Sequence, residues 1–156
     1  MKLHKLKASD IAGQYLIESP VSESDILRMT QQLARQHLAK GRLLTSHGQV
    51  ISHLQVLLQH YEHEVFALLL LDSKHRVLGF RELFRGTLDE TSVHPREVVK
   101  LILKHNAAAV VLHNHPSSDP EPSQADRQLT KALKETLCLV GTRTLDHIVV
   151  GLEGCV

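Results

Sequence analysis

Residues 113–126 hold the strongest chemical signal in this 156-residue chain: two histidines one residue apart, followed at short range by a carboxylate. In His113-Asn114-His115-Pro116, side chains at i and i+2 share a face if the segment is extended. Pro116 disfavours helix at His115 and keeps the pair extended. Two imidazoles on one face can converge on a single ion at the zinc–nitrogen distance of about 2.0 to 2.1 Å. The proline-bearing stretch 116–122 then returns the chain, so that Asp126, in the first turn of the next helix, can supply a carboxylate. His113, His115 and Asp126 would leave a fourth tetrahedral position open for water, as a catalytic zinc requires. The chemistry in view is hydrolysis by a metal-activated water.

Other readings of the same residues need no metal. Ser123 and Asp126 form an S-x-x-D capping box, and a His-x-His pair taken alone is more often solvated surface. Capping and ligation are compatible for Asp126 but compete for the Ser123 hydroxyl. The chain has twelve histidines, and imidazole is both the commonest metal ligand and the usual acid or base near neutral pH. His60 and His63 beside Glu64 lack the H-E-x-x-H spacing and read as solvated histidines at a helix end. His94 and Arg96 read as structural residues at a helix start, Asp146-His147 as a hydrogen-bonding pair at a strand end, and the cysteines as plain core or tail.

The elements that must position these residues follow from pattern. Residues 1–20 show no clean period and read as an arm closed by Pro20. Ser22 and Asp25 open a capped helix whose face runs through Ile26, Met29, Leu33 and Leu38 until Gly41. A second helical pattern follows Thr45 and Ser46, with Val50, Leu54, Leu57, Leu58 and Tyr61 at spacings of three and four. The apolar run 64–71, the break Asp72-Ser73-Lys74 and the extended stretch 76–84 read as a β-hairpin. His94-Pro95 starts a helix with proline in its first turn, lasting to Asn106. The short apolar run 107–112 reads as a buried strand delivering its end at His113. A helix from Ser123 to Gly141 carries Leu129, Leu133 and Leu137, and residues 142–150 form a last strand. The order β, β, α, β, α, β implies an α/β fold with a mixed β-sheet sandwiched by helices. Residues 1–45 are an N-terminal arm and helix, and residues 46–156 form the domain.

Composition bounds the function. With 42% hydrophobic residues the chain buries a real core, and 18 Lys plus Arg against 17 Asp plus Glu leave a net charge of +1, too little for wholesale phosphate binding. Two Tyr, three Phe and no Trp offer little material for stacking bases. Cys138 and Cys155 form no C-x-x-C, which argues for a reducing cytoplasm. No apolar run approaches the roughly 18 residues of a membrane span, and no signal-peptide core is visible. Oligomeric state is not readable.

The His-x-His, the ten-residue interval to Asp126, Ser123 three positions before it and an upstream Glu resemble the JAMM metalloprotease signature of JAB/MPN domains. Glu64-Val65-Phe66, Gly86-Thr87, the segment 93–97, His113-Asn114-His115-Pro116, Pro122-Ser123 and Asp146-His147-Ile148 together resemble the RadC-like (UPF0758) branch of that fold, over about residues 46–151. The resemblance implies the three-layer architecture shared with cytidine deaminases. It also implies a Zn2+ cofactor on His113, His115 and Asp126, Glu64 as the base for the metal's water, and Ser123 as a donor to the oxyanion. Glu62 and Glu82 compete with Glu64 for the base; Glu64 is preferred because it opens the apolar strand and matches the family's Glu-x-Phe. The implied reaction is peptide or isopeptide hydrolysis.

The chain departs from the family pattern in several places. Ser118 stands where relatives usually carry Gly, and one residue fewer separates the strand from His113, which requires a bulge or shifted register to keep the histidines aimed. The chain stops at Val156 where relatives commonly continue, and nothing before Glu64 has the glycine-turn character of a DNA-binding helical hairpin. Other functions compete. The letters HNH suggest a nuclease, but those enzymes scatter the three residues across a ββα element. A zinc nucleobase deaminase would need Pro-Cys-x-x-Cys, which is absent. A non-enzymatic scaffold would not need every ligand position filled. The alternative kept open is a DNA-repair-associated protein acting through nucleic-acid or partner binding without peptidase activity.

Overall fold

The computed structural model describes residues 4–86, 93–116, 119–142, 144–152 and 154–155. In chain order the elements are β1 (Leu6–Ala8), β2 (Tyr15–Ile17), α1 (Glu23–His37), α2 (His47–Leu58), β3 (Val65–Leu71), β4 (Val77–Arg85), α3 (Pro95–His105), β5 (Ala108–Asn114), α4 (Gln124–Leu139) and β6 (Thr144–Val150). The main sheet has the order β4-β3-β5-β6. Strand β3 is antiparallel to both its neighbours, while β5 and β6 run parallel, so the sheet is mixed and the fold is α/β, as expected.

Every residue of β3 is buried, because helices cover both faces and a period-2 alternation sends each side chain into one of two cores. Val65, Ala67, Leu69 and Leu71 meet Val50, Leu54 and Leu58 of α2. Phe66, Leu68 and Leu70 meet Val98 and Ile102 of α3 and Leu133 and Leu137 of α4. Each such aliphatic side chain contributes about 1.5–3 kcal/mol on leaving water. The caps agree with the sequence: Ser22 with Asp25, and Ser123 with Asp126, form complete capping boxes. The turn joining β3 to β4 is fastened by the Asp72 carboxylate, which accepts from the Lys74 and Arg76 amides at 2.8 Å each.

Two expectations change. The N-terminal arm contains an antiparallel hairpin, β1 with β2, its turn carrying Gly13 at φ 82; strands of three residues are too short to display a period. Strand β5 continues through His113 to Asn114, since His113 still pairs with Phe66 across the ladder. The β5–β6 register shifts between Ala109 and Val110, whose partners are Thr144 and Asp146. Leu145 is thus an extra residue on β6, a bulge in that strand. Ser118 and Thr87 lie outside the described residues.

Candidate metal centre

Three chain segments converge at the end of the sheet where β3 begins. His113 pairs with Phe66 on β3, so both point toward the layer of α3 and α4. His115 follows the end of β5, its amide donating to the Val150 carbonyl at 2.8 Å. Asp126 occupies the third helical position of α4, where the capping box fixes its carboxylate. His113 is 0% exposed and Asp126 3%.

The ligand atoms of His113, His115 and Asp126 all lie within 4.8 Å of one another. Asp126 Oδ1 is 3.4 Å from His113 Nε2, and Oδ2 is 3.4 Å from His115 Nε2. A tetrahedral shell with bonds of about 2.0–2.1 Å has edges of about 3.3–3.4 Å, so both separations suit one small cation. The two Nε2 atoms stand closer, at 2.9 Å. His115 Nδ1 lies 2.8 Å from the Asp119 carbonyl, which can only accept, so the ring donates there and turns the Nε2 lone pair inward. Two imidazoles and a buried carboxylate thus form a donor set fitted to a divalent metal.

Electrostatics agree with that role. Burial alone would raise the Asp126 carboxyl, but the neighbouring His113 ring and the hydrogen bonds from Ser123 outweigh it and hold the group well below the usual carboxylate range. Asp126 is ionised and ready to ligate. Its Oδ2 accepts from the Ser123 amide at 2.8 Å and from the Ser123 hydroxyl at 2.6 Å, while Ser123 Oγ accepts from the Asp126 amide at 3.1 Å. The hydroxyl is engaged in the cap, and an oxyanion role would require it to turn away from Asp126.

Glu64 is the residue before β3, half-buried, with its carbonyl accepting from Gly86 N at 2.9 Å. Continuing the β3–β5 register places it opposite His115. Its neighbours are gripped by one buried side chain: Asn114 Oδ1 accepts from Val65 N at 2.6 Å, and Asn114 Nδ2 donates to the His63 carbonyl at 3.0 Å. Glu82 is engaged elsewhere, with Tyr61 and Arg85, and Glu62 is exposed.

One residue next to the triad plays a part that sequence reasoning did not assign. His147 stands within β6, opposite Val111, with Nε2 2.7 Å from His113 Nδ1 and Nδ1 against Thr130 Oγ1. Burial and the neighbouring His113 push its pKa down to about 4, so the ring is neutral. The expected Asp146–His147 hydrogen bond forms, but through the backbone of His147. Asp146 accepts from the His147 amide and meets the His47 ring, because alternation sends the two side chains to opposite faces. The available signal was a polar residue inside a strand otherwise closed by Ile148, Val149 and Val150.

Comparison with known proteins decides the lineage. The family described as RadC-like JAB domain matches residues 44–156. The chain belongs to the RadC-like JAB family. Within it, a UPF0758 protein of Vibrio cholerae is 48% identical over 139 residues, 88% of each chain. A UPF0758 protein of Pseudomonas fluorescens is 52% identical over 130 residues, 80% of this chain and 58% of that relative. A JAB domain is compatible with hydrolase chemistry, and in this member the convergent triad is a possible metal site. Among the described residues, no helix is long and apolar enough to cross a membrane.

Proposed function

We propose that this RadC-like JAB protein is a zinc-dependent metallohydrolase acting on peptide or isopeptide bonds. The observation that supports it is the convergence of His113, His115 and Asp126 within 4.8 Å, a mixed nitrogen and oxygen donor set of three that suits catalytic zinc. Zinc held there would supply Lewis acidity, lowering the pKa of water to about 7 and polarising a carbonyl. Glu64, beside His115 in the extended register, would accept the proton of the attacking water and return it to the departing amine. Asn114 would steady Glu64 by holding the backbone on both sides of it. Ser123 would donate to the oxyanion once its hydroxyl leaves Asp126. The free Cys138 and Cys155 suit a reducing compartment, and we place the protein in the cytoplasm.

Metal content and turnover, measured together on a peptide and isopeptide library, test the proposal. Glu64→Gln should keep the metal and lose about 10²- to 10⁴-fold in rate, whereas His113→Ala should lose metal and activity together. Hydrolysis persisting in Glu64→Gln, or metal-dependent DNA nicking abolished by His113→Ala, would overturn it in favour of nucleic-acid chemistry.

A further inference from the structure

Carbonyl oxygens only accept hydrogen bonds, and that one-way property fixes a chain of protons behind the candidate metal centre. Thr130 Oγ1 lies 2.7 Å from the Asp126 carbonyl, so the hydroxyl must donate there. Its single proton spent, Thr130 Oγ1 can only accept from His147, which makes His147 Nδ1 the protonated nitrogen. The opposite nitrogen, Nε2, then carries a lone pair in the neutral ring. It faces His113 Nδ1 at 2.7 Å, so His113 must donate to it and, as a neutral ring, carries its own lone pair on Nε2. That atom is the one 3.4 Å from Asp126 Oδ1.

We propose that His147 and Thr130 are positioning residues that lock His113 in the ligand tautomer, its Nε2 lone pair facing the metal position. The inference rests on the metal reading above and adds two residues to it. Thr130 is one helical turn beyond Asp126 on α4 and is anchored to the backbone of Asp126 itself, so one short segment fixes both the carboxylate and the tautomer of its histidine partner. His115 reaches the same state through the Asp119 carbonyl. With both Nδ1 protons donated outward, the two Nε2 lone pairs of the neutral rings confront each other at 2.9 Å, an arrangement that a bound metal ion, or a proton between them, relieves. Metal-ligating histidines commonly donate their second ring N–H to a fixed acceptor; here the acceptor for His113 is another imidazole, which qualifies only while Thr130 holds its proton on the far side.

The test pairs a metal-affinity measurement with a direct reading of the tautomers. Zinc affinity is measured by competition with a chromogenic chelator on the full chain. Thr130→Val, nearly isosteric, should weaken zinc about 10- to 100-fold, the range for loss of an outer partner of a metal ligand. Thr130→Ser, smaller but still a hydroxyl, should bind as the parent does. His147→Leu should weaken zinc similarly, and His147→Gln should recover most of the loss, because its amide oxygen can accept from His113 while its NH2 donates to Thr130. A purely packing role predicts the reverse order for Val and Ser. Long-range ¹H–¹⁵N spectra of the metal-free protein should show His113 and His147 both protonated on Nδ1, and mixed tautomers in Thr130→Val. Parental zinc affinity in Thr130→Val and His147→Leu, with His113→Ala losing the metal, would overturn the positioning role and leave the metal site standing. An Nε2-protonated His113 in the parent overturns it directly. No zinc uptake by the parent would overturn the metal reading, and the tautomer spectra would still report on the proton chain.

Discussion

Replacing Asn114 by alanine should uncouple the two halves of the site. Its side chain is buried, 2% exposed, and spans from β5 to the backbone on either side of Glu64. Truncation removes two hydrogen bonds: the one to the His63 carbonyl contributes about 1 kcal/mol, and loss of the other strands the Val65 amide in a fully buried strand, which costs about 1–3 kcal/mol. The expected loss is about 2–4 kcal/mol, or roughly 4 to 16 °C in melting temperature for a chain of this size. Urea denaturation with a constant m-value is the assay, since a shifted midpoint at unchanged slope reports stability alone. Zinc binding should survive, because His113 and His115 are held by the ladder and by the Val150 carbonyl. Hydrolysis should fall by more than the folded fraction accounts for, as Glu64 loses its clasp. Asn114→Asp keeps the acceptor for Val65 N but sets a carboxylate oxygen against the His63 carbonyl, so its deficit should shrink as the carboxyl is protonated at low pH. An alanine variant within about 0.5 kcal/mol of the parent, the scatter of neutral surface changes, would refute the clasp.

Further outcomes follow from single residues. In metal-free protein, stability should fall as pH drops from 6.5 toward about 4. In that window the unfolded chain takes up a proton that folded His147 refuses, so the contribution is complete above 6.5 and gone by about pH 4, worth about 3 kcal/mol at 1.36 kcal/mol per pH unit. Urea midpoints across that range should slope less in His147→Gln. Ser22→Ala should cost about 1 kcal/mol through the lost α1 cap with zinc content unchanged. Leu137→Ala, in the core beneath β3, should cost about 2–5 kcal/mol by denaturation.

What could be read from the sequence divides along chain distance. His113, His115 and Asp126 were legible because strand alternation and one capping turn bring them together within fourteen consecutive residues. The starts of helices α1 and α4 were legible, since Ser22 and Ser123 announce themselves three positions ahead of an aspartate, whereas α1 ends at His37, short of Gly41. His147 was not assigned, because its contact with His113 crosses 34 positions and depends on the parallel register of β5 and β6. Thr130 looked like an ordinary helical residue for the same reason. Asn114, between two candidate ligands, drew attention only as a letter in a motif, although the register that sends His113 one way sends Asn114 toward the start of β3.

The extra residue on β6 at Leu145 separates strand length from side-chain aim. A deletion inside a regular strand rotates everything beyond it to the other face, yet here β5 meets β3 without a break from Ala108 to His113, and the mismatch is confined to one step against β6. The irregularity is thus taken up at the edge strand, and the backbone that carries His113 stays in register with Phe66.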